Sequence, residues 1–94
     1  TWEGIRSVED IQLYDFTSPA NIRFIGFAKA IRRFDLGIVM TDQFFGKLLV
    51  LDMQQNRFAI IGHDDLEEDH YLEEVFQLSQ NEAKELEEFL REIL

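Results

Sequence analysis

The spacing of apolar residues changes once along this chain, near Gly62, and the charge changes with it. Up to Gly62 the apolar residues recur at a period of two, and beyond it at about 3.6, the repeats of a strand and a helix. Residues 1–62 carry seven acids and seven bases, whereas residues 63–94 carry twelve acids against only Lys84 and Arg91, so the whole net charge of −10 lies in the last third. The pattern predicts an α+β fold: a neutral antiparallel β-meander packed on one face by an acidic helical layer. Ninety-four residues fit this as a single domain.

The periodicity places the elements. Ile11, Leu13, Tyr14 and Phe16 read as a short strand or a tether over the core within an N-terminal segment, residues 1–21, which ends in the loop Thr17-Ser18-Pro19-Ala20-Asn21. Four strands follow within residues 22–61: Ile22 to Ala30, Phe34 to Thr41, Lys47 to Met53 and Arg57 to Ile61, with a fifth if the N-terminal segment joins them. Their connectors are too short for parallel crossovers, so neighbours pair antiparallel. The second strand alternates, with Phe34, Leu36, Ile38 and Met40 on one side. The third is apolar on both sides apart from Asp52, which predicts a central position.

Residues 64–94 supply the helical layer as two helices after a first turn. Asp64 or Asp65 can cap that turn around Leu66. Asp69 can cap a segment that buries Leu72, Val75 and Phe76. Ser79-Gln80-Asn81-Glu82 has the form of a capping box and predicts a last helix starting at Gln80, with Ala83, Leu86, Phe89, Leu90, Ile93 and Leu94 on one stripe.

Composition removes several function classes. Without cysteine there is no disulfide, thiolate zinc site or cysteine nucleophile, which suits a cytoplasmic protein. No apolar run reaches the eighteen or so residues of a membrane span, and no signal-peptide pattern opens the sequence. The acidity opposes binding to nucleic acid and to anionic membranes, both of which need Lys and Arg. The glycines are scattered singly, so no phosphate-binding loop exists, and Ser7, Ser18 and Ser79 lack a nucleophile-elbow context. Nothing composes a catalytic set, and no cofactor is implied.

The stretch Phe34-Asp35-Leu36-Gly37-Ile38-Val39-Met40-Thr41-Asp42-Gln43-Phe44-Phe45-Gly46-Lys47-Leu48-Leu49-Val50-Leu51 resembles a small family of Firmicute cytosolic proteins classed only as a domain of unknown function. Arg57-Phe58-Ala59-Ile60-Ile61-Gly62-His63-Asp64-Asp65-Leu66 and Tyr71-Leu72-Glu73-Glu74-Val75-Phe76 are similar to the same family. The likeness covers about residues 13–94. It implies a short cytosolic α+β protein of a Gram-positive bacterium and transfers no functional residue.

Three groups of residues are candidate sites. Gln43-Phe44-Phe45-Gly46 forms a hairpin tip where two adjacent phenylalanines do not easily both turn inward, and one exposed beside Lys47 would make a partner-binding tip. The alternative is a longer turn that folds both rings over the end of the sheet. Arg23, Arg32, Arg33 and Lys47 lie among phenylalanines and outline an RNA-binding module. Against it, Phe is usually core, and the bases have acids of the sheet and helices to pair with. His63, Asp64, Asp65 and His70 could ligate a transition metal for a hydrolase, although carboxylates at a strand-to-helix loop more often cap helices.

The sequence therefore reads as a non-enzymatic protein-interaction or regulatory module with an unidentified protein partner. RNA binding and metal-dependent hydrolysis are the alternatives. The sheet face away from the helices has enough apolar residues, Ile25, Phe27, Val39, Leu49 or their neighbours, to predict homodimerisation or cover by the N-terminal segment.

Overall fold

The computed structural model describes residues 11–94. Its elements run β1 (Asn21–Ala28), β2 (Arg33–Met40), β3 (Leu48–Asp52), β4 (Arg57–Ile61), α1 (His63–Leu66), α2 (Tyr71–Phe76) and α3 (Gln80–Ile93). The four strands form one antiparallel sheet in the order β1-β2-β3-β4, with β3 central as its two-sided apolar pattern requires. The helices pack on one face, and the fold is α+β. Of the N-terminal segment expected as a tether or strand, residues 1–10 lie outside the described residues. Residues 11–20 form no strand, and Ile11, Leu13, Tyr14 and Phe16 are exposed.

The alternation of β2 sets the inner face. Phe34, Leu36 and Ile38 are fully buried and meet Val50 of β3, Ile61 of β4, Leu66 of α1, Leu72 and Phe76 of α2, and Ala83, Leu86 and Leu90 of α3. The register opposes Phe27 to Phe34 and Ile25 to Leu36, so both β1 side chains belong to this inner face. Phe27 stacks on Phe34 with ring centroids 5.1 Å apart and on Phe89 of α3 at 4.7 Å, joining the edge strand to the last helix. The expectation that Ile25 and Phe27 face away from the helices is thus corrected. The β1 residues on that side are Ile22 and Phe24.

The helix starts follow local chemistry. Ser79 Oγ accepts from the Glu82 N–H, and Glu82 Oε1 accepts from the Ser79 N–H at 2.8 Å, the reciprocal pair the sequence predicts. At α1, Asp65 reaches back to accept from the Gly62 N–H at 2.8 Å. Asp69 does not cap α2. His70 occupies that position in the left-handed region, φ 63°, and its side chain caps nothing. The α2–α3 link turns at Gln77, φ 54°, with the Leu78 N–H donating to the Glu73 carbonyl.

Candidate functional site

The strand register places eight positions in two rows across the outer face of the sheet. One row is Phe24–Gly37–Leu51–Phe58 and the other is Ile22–Val39–Leu49–Ile60. Neither row contains a charged or polar side chain. Phe24 is 70% exposed and Phe58 67%, with Ile22 and Ile60 also exposed and Val39, Leu49 and Leu51 half-buried. A half-solvated antiparallel sheet normally alternates apolar inside with polar outside, so an outer face whose two central rows are wholly apolar departs from the rule. Isolated exposed apolar residues are ordinary, but a contiguous patch is characteristic of a binding surface.

One end of the patch has a polar rim. Arg33 and Asp35 share this face, and the guanidinium bonds the carboxylate through Nε and Nη2 at 3.1–3.2 Å. Gln54 donates to the same carboxylate at 2.7 Å. Asp35 lies over Gly26 of β1, where a Cβ would stand 3.1 Å from Asp35 Oδ1. An apolar centre beside a hydrogen-bonded rim is the usual anatomy of a protein interface.

The β2–β3 loop separates its two phenylalanines. A single helical turn over Asp42–Phe44 starts at Thr41, whose Oγ1 accepts from the Gln43 N–H, and leaves Phe44 half-buried. Phe45 is 96% exposed and lies in the left-handed region at φ 53°, followed by Gly46 at φ 83°. A bulky residue with positive φ is strained, and strain of this kind concentrates at functional sites. Lys47 turns away from this tip and reaches the start of α1, with Nζ 3.1 Å from Asp65 and 3.4 Å from Asp64.

The structure does not gather the four bases of the RNA alternative on one surface. Arg32 lies over the Phe34 ring at 4.9 Å, bonds Gln54 and approaches Glu82 at 3.8 Å. Arg33 is bound to Asp35 in the rim, and Lys47 is held by the α1 carboxylates. Arg23 sits on the inner-face side of the β1 edge, opposite Ile38. Lys29 meets Glu88 of α3 at 3.4 Å, so bases of the sheet region repeatedly meet acids of the helical layer.

The metal alternative is also divided. Asp65 is engaged by Gly62 and Lys47, Asp64 by Lys47, and His70 bonds Glu73 at 2.8 Å at the start of α2. His63 opens α1 and is exposed. Among the described residues no three such side chains converge as a metal site requires. Burial pushes the Asp65 carboxyl up, but the Gly62 N–H and Lys47 outweigh it and hold it below its ordinary value. The hydrogen bond to Glu73 raises His70 above its ordinary value. These shifts follow from capping and pairing. A groove of about 520 Å³ between α1–α2 and α3 is lined by both signs, including Glu67, Asp69, Lys84 and Arg91, and is set apart from the apolar face.

Phe24 and Phe58 were not distinguished as surface residues by sequence reasoning. The usable signal was the parity of β2: once Phe34, Leu36 and Ile38 face inward, the hairpin register puts Phe24 outward and Phe27 inward. Phe58 and Ile60 then follow from Leu51 and Leu49 across the next pairing.

No described helix is long and apolar enough to cross a membrane. The SAV0927-like family model matches residues 13–92, and the chain belongs to that family, a small one of unknown function. The resemblance read from residues 34–76 is to a family of this kind. No curated protein matches the chain.

Proposed function

We propose that this member of the SAV0927-like family is a non-enzymatic protein-interaction module that docks a partner protein on the outer face of its sheet. The observation that carries this reading is the pair of uncharged rows spanning all four strands, Phe24 to Phe58 and Ile22 to Ile60. Each Å² of apolar surface removed from water there contributes about 25 cal/mol, so a face of this kind has a driving force for association. Phe45 is a second anchor at the end of the sheet. The acidic helices lie on the opposite side, where they repel nucleic acid without entering the contact.

The test compares affinity capture by the wild type with capture by a Phe24→Ser, Phe58→Ser protein and a Phe45→Ser protein, with nuclease treatment in parallel. The reading expects nuclease-resistant partners that the double variant loses while its circular dichroism is unchanged. Retention of the same partners by the double variant would contradict it, as would partners that all vanish with nuclease.

A further inference from the structure

We propose that the outer sheet face is occupied by a second copy of this chain, packed face to face about a two-fold axis that runs parallel to the strands between β2 and β3. This rests on the reading of the face as a docking surface and names its occupant.

Area is the first argument. Ile22, Phe24, Met53, Phe58 and Ile60 together expose on the order of 600 Å², at the upper end for a contiguous patch on a monomer and most of the ~800 Å² per partner in a standard stable interface. The half-buried Val39, Leu49 and Leu51 add to it.

Charge is the second. Each copy carries a net −10, and its excess of acids lies in residues 63–94. Packing the sheets' outer faces together sets the two helical layers at the far sides of a four-layer assembly, whereas association through the helices would bring like charges together. This face, where Arg33 and Asp35 pair with each other and add no net charge, is the side on which a second acidic copy can approach with least repulsion.

Shape is the third. The proposed axis exchanges β1 with β4 and β2 with β3. Phe24 then faces the partner's Phe58, Ile22 the partner's Ile60, Val39 the partner's Leu49, and Gly37 the partner's Leu51. Each row is its own complement, as an isologous contact requires. Within each copy Leu51 leans over the buried Gly37, with its Cδ1 3.3 Å from where a Cβ would stand, so the centre of the face is closed by leucine side chains that meet across the axis. Aligned packing of two sheets, about 10 Å apart with strands within about 30°, keeps these central pairs in register.

The test uses the full chain. Sedimentation equilibrium across a concentration series is expected to give twice the 11.1 kDa chain mass at high concentration. Phe24→Glu with Phe58→Glu should weaken dimerisation roughly tenfold or more, because buried unpaired charges oppose the contact. Both positions are mostly exposed within one copy, so the fold should survive. The chain has no cysteine, so a Phe24→Cys protein mixed with a Phe58→Cys protein should cross-link to each other in preference to themselves when treated with a bis-maleimide that spans about 10 Å, the separation of packed sheets.

A monomer at every concentration overturns the dimer. If Phe24→Ser, Phe58→Ser still loses a captured foreign protein, the docking reading survives; if capture is also unchanged, both fail. A dimer indifferent to the Glu substitutions, or Phe24→Cys cross-linking mainly to itself, overturns the arrangement. So does a monomer that dimerises only after residues 1–20 are removed, which would make that segment the occupant.

Discussion

Lys47 Nζ lies 3.1 Å from Asp65 Oδ2, the same oxygen that accepts the Gly62 N–H at 2.8 Å. One carboxylate thus fastens the start of β3 to the turn between β4 and α1. Gly62 is buried, and a Cβ there would stand 3.0 Å from both Lys47 Cγ and Asp64 Oδ1, so a larger residue would have to push these two side chains aside. Asp65→Ala should lower stability by about 1–2 kcal/mol, because it leaves a backbone donor unpaired and removes the lysine's partner. Asp65→Asn should cost less, since it keeps an acceptor for Gly62. Urea unfolding midpoints of the two variants check the order.

Acid should weaken the fold through two named carboxyls. The Ser79 N–H lowers Glu82, and at Asp65 burial is outweighed by Gly62 and Lys47, so both folded values lie below the ordinary 4.5 and 3.8. A depressed folded value means that the stabilisation is full above the unfolded value and is lost as pH falls through the folded one. Stability should therefore decline as pH drops below about 4.5, and Glu82→Gln should flatten part of that slope, since its amide oxygen still accepts from Ser79 at any pH. His70 has the opposite sign. Its raised value gives stabilisation that is full below 6.5 and is lost as pH rises through the folded value. Denaturant midpoints at closely spaced pH values test both slopes.

Gln77 terminates α2 at φ 54°, a conformation glycine adopts without steric cost. Its side chain is exposed and bonds only the Glu74 carbonyl. Gln77→Gly should raise stability by about 0.5–1 kcal/mol, with no change in the circular dichroism spectrum. A loss of stability would mean that the side-chain bond matters more than the backbone strain.

The two faces of the sheet should respond differently to truncation. Leu90→Ala removes a fully buried side chain under the sheet and should cost about 2–5 kcal/mol at any protein concentration. Phe58→Ala, on the outer face, should cost less than about 1 kcal/mol in dilute solution. In concentrated solution the wild type should gain stability by mass action and Phe58→Ala should not. Thermal melts at two concentrations separate the cases.

The elements whose signals were local were legible in the sequence. Ser79 and Glu82 fix a helix start within four residues, and the alternation of Phe34, Leu36 and Ile38 defines an inner face without tertiary information. Phe27 was misread because β1 carries apolar residues on both sides, Ile22 and Phe24 against Ile25 and Phe27. Only the hairpin register to β2 decides which pair is inside. Asp69 failed as a cap because the α1–α2 turn needs a left-handed residue, and His70 takes that place. At the tip the sequence left one exposed phenylalanine and two inward-folded rings equally open, and that Phe45 is the exposed one depended on the turn starting at Thr41. The outer patch was the least legible feature: it exists only once four strands are aligned, and each strand alone contributes just two of its positions.

Hydroxyl-radical footprinting of the wild-type chain, in dilute and in concentrated solution, tests most directly whether the outer face is a docking surface for a second copy. Phe24, Met53 and Phe58 are exposed in a single copy and carry oxidisable side chains. The account predicts that all three lose reactivity together as concentration rises, and that the loss is absent in the Phe24→Glu, Phe58→Glu protein at Met53. Reactivity at the three positions that stays the same across the concentration range would contradict it.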